Sequence, residues 1–237
     1  MLCYNVFIPI KKGDKEMKKL LTLIVMVVFI LAIFNSCELD TNEEEKEPDD
    51  FYTYIYLKRD MYSVYTKQCD IVFLGDSLTS EVKWHELLNR NDVANRGIGG
   101  DISGNIYNRI DDIYLLNPQK VFLMCGINDI RMGVDIYTIF SNIKKIHEDL
   151  KNNGVELIIT STLYVAVNKN DYKKKNTCVY YLNNMLREYC IEENIVFIEL
   201  NEQLSDNLSL KPEYTYDGVH LYSSAYAIYR DLLVEHL

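Results

Sequence analysis

From Asp70 onward, short apolar runs rich in β-branched and aromatic residues alternate with stretches whose apolar residues recur every three or four positions. That alternation constrains the fold more than any other feature of the chain. Parallel strands need long crossovers, and a crossover with helical periodicity packs its apolar stripe on the sheet. Strands are expected at about Asp70 to Leu74, Asp92 to Asn95, Lys120 to Cys125, Val155 to Thr160 and Ile195 to Leu200. Helices are expected from Ser77 to Leu88, and from about Ser103 until Pro118 stops the next one. Three more are expected from Asp135 to Asn153, with Gly154 as C-terminal stop, from Tyr172 to Glu193, and from Tyr222 to Leu237. Phe51 to Lys67 reads as a further helix leading in. Five strands joined this way predict an α/β fold, a flavodoxin-like three-layer α/β/α sandwich with a five-stranded parallel sheet.

The chain before this region has a different character. Lys18 and Lys19 precede the uncharged run Leu20 to Phe34, which is followed by Asn35-Ser36-Cys37. As a helix that run would span roughly 22 Å, short for a bilayer core of about 30 Å. A basic segment, an apolar run and a small residue before the break form the layout of a secretory leader, with Met17 a plausible start. Cys37 directly after Ser36 predicts the lipoprotein form, anchored to a membrane through an acyl chain on that cysteine. Phe34 and Asn35 depart from the usual aliphatic and small residues of that motif. Residues 38 to 50 are strongly acidic and too poor in apolar side chains to bury a core, so they read as a disordered tether. The expected organisation is therefore a leader (1–37), a tether (38–50) and one folded domain (51–237).

The chain carries a formal charge of −10. Its leader holds lysines 11, 12, 15, 18 and 19 against only Asp14 and Glu16, so the remainder is more negative still. A polyanion of this kind repels phosphate backbones, and nucleic acid is not an expected partner. Cys69, Cys125, Cys178 and Cys190 show no metal-type spacing, and no disulfide is expected to be required.

The alternation places four loops at the carboxyl ends of the strands, where open α/β sheets hold their chemistry. The first contains Gly75-Asp76-Ser77-Leu78. A serine there is by itself an ordinary helix N-cap, and becomes a nucleophile only if a base removes its proton. Of four histidines, His85 and His147 fall inside expected helices and His236 lies next to the last residue. His220 lies in a loop three residues after Asp217, an offset that lets the carboxylate hold one ring nitrogen while the other faces the serine. Acyl transfer also needs oxyanion donors. The Ser77 N–H, the Gly100 N–H in Gly97-Ile98-Gly99-Gly100-Asp101, and the side-chain amide of Asn128 in Gly126-Ile127-Asn128-Asp129 are the candidates.

These three blocks, followed by Asp217-Gly218-Val219-His220-Leu221, resemble in order the four blocks of the SGNH (GDSL) hydrolases. The second block is most similar to the branch holding platelet-activating-factor acetylhydrolase-like enzymes and bacterial carbohydrate esterases. The resemblance implies a serine esterase with Ser77 as nucleophile, His220 as base and Asp217 as its orienting acid. It implies Ser77, Gly100 and Asn128 as the oxyanion hole.

Other motifs fail at single positions. Thr79 stands where an α/β-hydrolase elbow needs glycine, and Ile102 stands where a dinucleotide fingerprint from Gly97 needs one. Without a phosphate loop or a metal-type cluster, no cofactor and no metal are expected. The expected substrate is an acetyl ester of a carbohydrate, small or polymeric. A lipid ester comes second, and a non-catalytic glycan-binding surface lipoprotein is the reading from another class. The loop Thr162 to Lys175 and the region Glu202 to Tyr216 are expected to shape the pocket, without naming its ligand.

Overall fold

The computed structural model describes residues 50–237, with side chains from 53. The expected leader, the lipidation at Cys37 and the acidic tether to 49 lie outside the described residues.

The sheet consists of β1 (Ile71–Gly75), β2 (Val93–Gly97), β3 (Lys120–Met124), β4 (Glu156–Thr160) and the short β5 (Val196–Ile198). All are parallel, in the order β2-β1-β3-β4-β5. Ile71, Val72, Phe73 and Leu74 of β1 and Val121 to Met124 of β3 are almost fully buried. This explains their unbroken apolar runs, since a parallel sheet covered on both faces has no solvent side to alternate with.

The helices in chain order are α1 (Asp50–Val64), α2 (Ser77–Ser80), α3 (Trp84–Leu88), α4 (Ser103–Tyr107), α5 (Asp111–Tyr114), α6 (Ile127–Arg131), α7 (Ile136–Asn152), α8 (Tyr172–Glu193), α9 (Asn201–Leu204) and α10 (Ser223–Leu233). On α7 the stripe Ile139, Ile143, Ile146 and Leu150 is buried, as its spacing requires, and Asp135 caps the helix by accepting from the Tyr137 N–H. Gly154 has φ +73°, the left-handed stop expected after that helix. The α7 layer packs with α4 and α8, while α3 and α10 pack together against β1 and β4. At the centre of that second layer the Trp84 ring stacks on Phe73 at 3.8 Å and meets the edge of Tyr229 at 5.7 Å.

Two expected helices are broken. Ser77 to Leu88 divides into α2 and α3, because the Asn95 amide of β2 donates to the carbonyls of Thr79, Ser80 and Val82. The Trp84 indole N–H also donates to Thr79 O. Partners from elsewhere in the fold thus take the carbonyls a continuing helix would use. The stretch after Ser103 divides into α4 and α5 around Arg109, whose side chain turns inward. The region after Asn201, expected as a loop, holds α9 and a small antiparallel hairpin, β6 (Ser205–Asp206) with β7 (Ser209–Leu210). The last expected helix ends at Leu233 and continues as a 3₁₀ turn, Val234–His236.

Candidate active site

The strand order reverses at β1, which pairs with β2 on one side and β3 on the other. Gly75, Gly97 and Met124 stand level at the carboxyl edge. The loops that follow therefore converge on a single crevice, the switch point where such sheets bind ligands. At Gly75 an added Cβ would lie 2.3 Å from Met124 O, so this turn admits only glycine. Asp76 then caps α2 by accepting from the Leu78 N–H at 3.0 Å. This places Ser77 at the first helical position, with its hydroxyl on the crevice side.

His220 arrives from the loop before α10. Its Nε2 is 3.0 Å from Ser77 Oγ, and its Nδ1 is 2.8 Å from Asp217 Oδ2. The other carboxylate oxygen, Asp217 Oδ1, accepts from the backbone N–H groups of Val219 and His220, both at 2.8 Å. Burial alone would raise the Asp217 carboxyl, but these N–H donors and the imidazole outweigh it and hold it down to about 2. A carboxylate that stays ionised keeps the ring proton on Nδ1 and leaves the Nε2 lone pair toward the serine hydroxyl. Thr215 Oγ1 donates to His220 O and accepts from the Gly218 N–H, closing the loop on itself. Gly218 has φ +91°, and a Cβ there would meet the Asn168 side chain at 2.3 Å. Sequence reasoning singled out neither Thr215 nor the need for glycine at 218.

The oxyanion candidates lie across the crevice. Gly100 has φ +79° and directly precedes Asp101, whose carbonyl accepts from the Asn128 side-chain N–H₂ at 3.0 Å. The two donors are thereby held within a residue of each other, and the second amide hydrogen of Asn128 remains for a ligand. Arg131 donates to Asn128 Oδ1 at 3.3 Å, so the amide nitrogen faces the Gly100 loop. Among the described residues, the N–H groups of Ser77 and Gly100 have no backbone partner.

Beneath this surface lie carboxylates that periodicity did not reveal. Asp129 accepts from both the N–H and the hydroxyl of Ser103. Asp101 and Arg109 form a fully buried ion pair at 2.8 Å, and Arg109 also donates to Gly75 O. Asp76 is wholly buried, its Oδ2 has no partner among the described residues, and burial pushes its carboxyl up to about 7. Asp101 and Asp129 are the last residues of their blocks and were visible as motif positions. Arg109 carried no signal, because its partner lies eight residues away in a loop.

The other expected features fall elsewhere. His85 is exposed on α3, and His147 is buried against the Tyr189 hydroxyl. Cys69, Cys125, Cys178 and Cys190 are free thiols. Among the described residues no cluster could hold a metal ion, and no helix is long and apolar enough to cross a membrane.

Fold and site together define a class: a serine ester hydrolase built on a three-layer α/β/α sandwich. The chain belongs to the GDSL-like lipase/acylhydrolase family, whose model matches residues 73–228. A GDSL-like lipase from Bacteroides thetaiotaomicron is similar over 78% of this chain and 95% of its own, at 26% identity and a TM-score of 0.66. An acetylxylan esterase from Geobacillus stearothermophilus shares the fold at 18% identity and a TM-score of 0.60, over 71% of this chain and 94% of its own. Among curated proteins, the N-acylneuraminate cytidylyltransferase of Streptococcus agalactiae is 25% identical over 185 residues, 76% of this chain. The chain spans only 40% of the length of that relative.

Proposed function

We propose that this protein is an exported, lipid-anchored esterase that removes an acetyl group from a carbohydrate by a Ser-His-Asp mechanism. The observation that carries the mechanism is the continuous hydrogen-bonded series Asp217–His220–Ser77 at the carboxyl edge of the sheet. His220 Nε2 takes the Ser77 proton as Oγ attacks the ester carbonyl, and Asp217 stabilises the imidazolium that forms. The oxyanion of the tetrahedral intermediate receives the N–H groups of Ser77 and Gly100 and the free amide hydrogen of Asn128. The imidazolium then protonates the leaving alcohol and an acyl-enzyme remains on Ser77. Water, deprotonated by the same His220, attacks the acyl carbon and releases the acid.

The carbohydrate reading draws on two named relatives, one an acetylxylan esterase and one an enzyme of N-acylneuraminate. The reading of export and anchoring draws on the Lys18-to-Cys37 pattern alone.

The test is fluorophosphonate labelling, followed by turnover of acetylated xylan, O-acetylated sialic acid and a lysophospholipid in parallel. Wild type is expected to label at Ser77 and to release acetate from a sugar ester. Ser77→Ala is expected to lose both while remaining folded. An active Ser77→Ala protein refutes the mechanism, and turnover confined to the lysophospholipid refutes the carbohydrate reading. Glycan binding without turnover of any ester returns the protein to the non-catalytic class.

A further inference from the structure

The leaving alcohol of an ester must lie against the group that protonates it, here His220 Nε2. Whatever lines the crevice beside that nitrogen, away from Gly100 and Asn128, therefore meets the alcohol portion of the substrate and not its acyl portion. Two side chains with no role in the catalytic series lie beside His220, and a third packs against one of them. Glu81, four residues after Ser77 and just past α2, places Oε1 at 3.9 Å from His220 Nε2. The Tyr216 ring lies parallel to the imidazole, with centroids 5.8 Å apart and planes within 16°. Its hydroxyl donates to the other Glu81 oxygen at 3.4 Å. Tyr222 packs at a tilt against Tyr216, centroids 5.9 Å apart. All three are substantially exposed: Tyr216 by 53%, Tyr222 by 46% and the Glu81 side chain by 42%.

Large aromatic rings this exposed beside a nucleophile are not core packing. Their chemistry is complementary to a hydroxylated ring. Aromatic faces cover the C–H surface of a sugar, and a carboxylate that already accepts from Tyr216 keeps lone pairs for sugar hydroxyls. The same carboxylate, with Asp217 close by, puts negative charge where the alcohol sits. We propose that Glu81, Tyr216 and Tyr222 form the alcohol subsite, which accepts an uncharged sugar ring and discriminates against one bearing a carboxylate. This rests on the esterase reading above and sharpens its substrate. The sialic acid ester, an anionic alcohol, becomes the disfavoured member of the panel.

The test uses two esters on one ring, a monoacetylated methyl glucoside and the matching monoacetylated glucuronide. Their kcat/KM ratio is measured in wild type, Glu81→Gln and Tyr222→Ala. Wild type is expected to favour the glucoside. Glu81→Gln, which keeps hydrogen-bonding capacity and removes the charge, is expected to lower that preference about fivefold, the size of an exposed like-charge repulsion over several ångströms. Added salt is expected to shrink the wild-type preference more than that of Glu81→Gln, which keeps only Asp217 nearby. Tyr222→Ala is expected to lower kcat/KM for both ring esters relative to ethyl acetate, which has no ring to cover.

Equal preference for glucoside and glucuronide in wild type overturns the subsite, as does a ratio that Glu81→Gln does not shift. Failure to turn over either ring ester, by a protein that labels with fluorophosphonate, also overturns it. Ser77→Ala is carried alongside. Turnover surviving there refutes the esterase assignment itself, whereas turnover lost there with an unmoved ratio refutes only the subsite.

Discussion

Burying the Asp76 carboxyl costs this fold stability, and Asp76→Asn makes that cost measurable. The carboxyl is wholly buried, one oxygen caps α2 through the Leu78 N–H, and the other has no partner among the described residues. Burial raises it from 3.8 to about 7, with Asp101 and Asp129 adding repulsion. A carboxyl raised in the folded state binds a proton that the unfolded chain has already released. Its contribution to stability is therefore complete below about pH 4 and is lost as pH rises toward 7. At 1.36 kcal/mol per pKa unit the whole loss is about 4 kcal/mol, of which roughly 2.5 falls between about pH 5 and about pH 8. An asparagine keeps the cap and does not titrate, and groups distant from position 76 titrate alike in both proteins. The difference in unfolding free energy should thus move by about 2 to 3 kcal/mol in favour of Asp76→Asn on going from about pH 5 to about pH 8. Urea denaturation followed by fluorescence suits the assay, since Trp84 is the single tryptophan and is buried against Phe73. A difference that stays flat within about 0.5 kcal/mol over that range refutes the claim that burial raises the Asp76 carboxyl to about 7.

Asp217→Asn should reduce kcat about 10³- to 10⁴-fold with little change in KM, because the amide no longer fixes the imidazole tautomer; a loss under tenfold would remove Asp217 from the mechanism. The folded carboxyl is held below its unfolded value, so its stabilisation is present above about pH 4 and disappears as pH falls through about 2. After discounting for its exposure this amounts to about 1 kcal/mol, read as a difference in acid denaturation between wild type and Asp217→Asn. Gly218→Ala should lower activity at least tenfold while shifting the urea midpoint little, since strain at φ +91° and the Asn168 clash displace only the His220 loop. Unchanged kcat/KM in that variant would mean the loop adjusts without moving the imidazole.

The strands were legible because burial on both faces turns each into an apolar run, and a run needs only its own residues to be seen. The long helices α7 and α8 were legible for the same reason, their stripes being local. Where one chain segment is held by another, legibility ended. Nothing in Ser77 to Leu88 announces that Asn95 will claim three of its carbonyls and split the helix. Nor does Arg109, placed among helical isoleucines, announce that it will turn inward to Asp101.

The same division runs through the site. Ser77, Gly100, Asn128, Asp217 and His220 sit in short contiguous blocks at strand ends, and the order of those blocks carried a family resemblance without any contact being known. The sequence by itself thus determined an α/β sheet, its edge of chemistry and the residues facing one another across it. Only the tertiary structure decided that Glu81 and Tyr216, 135 residues apart, meet beside His220, and that Asp76 is sealed from water. Their roles depend on distances and on solvent exclusion, and neither is encoded in the spacing of residues along a chain.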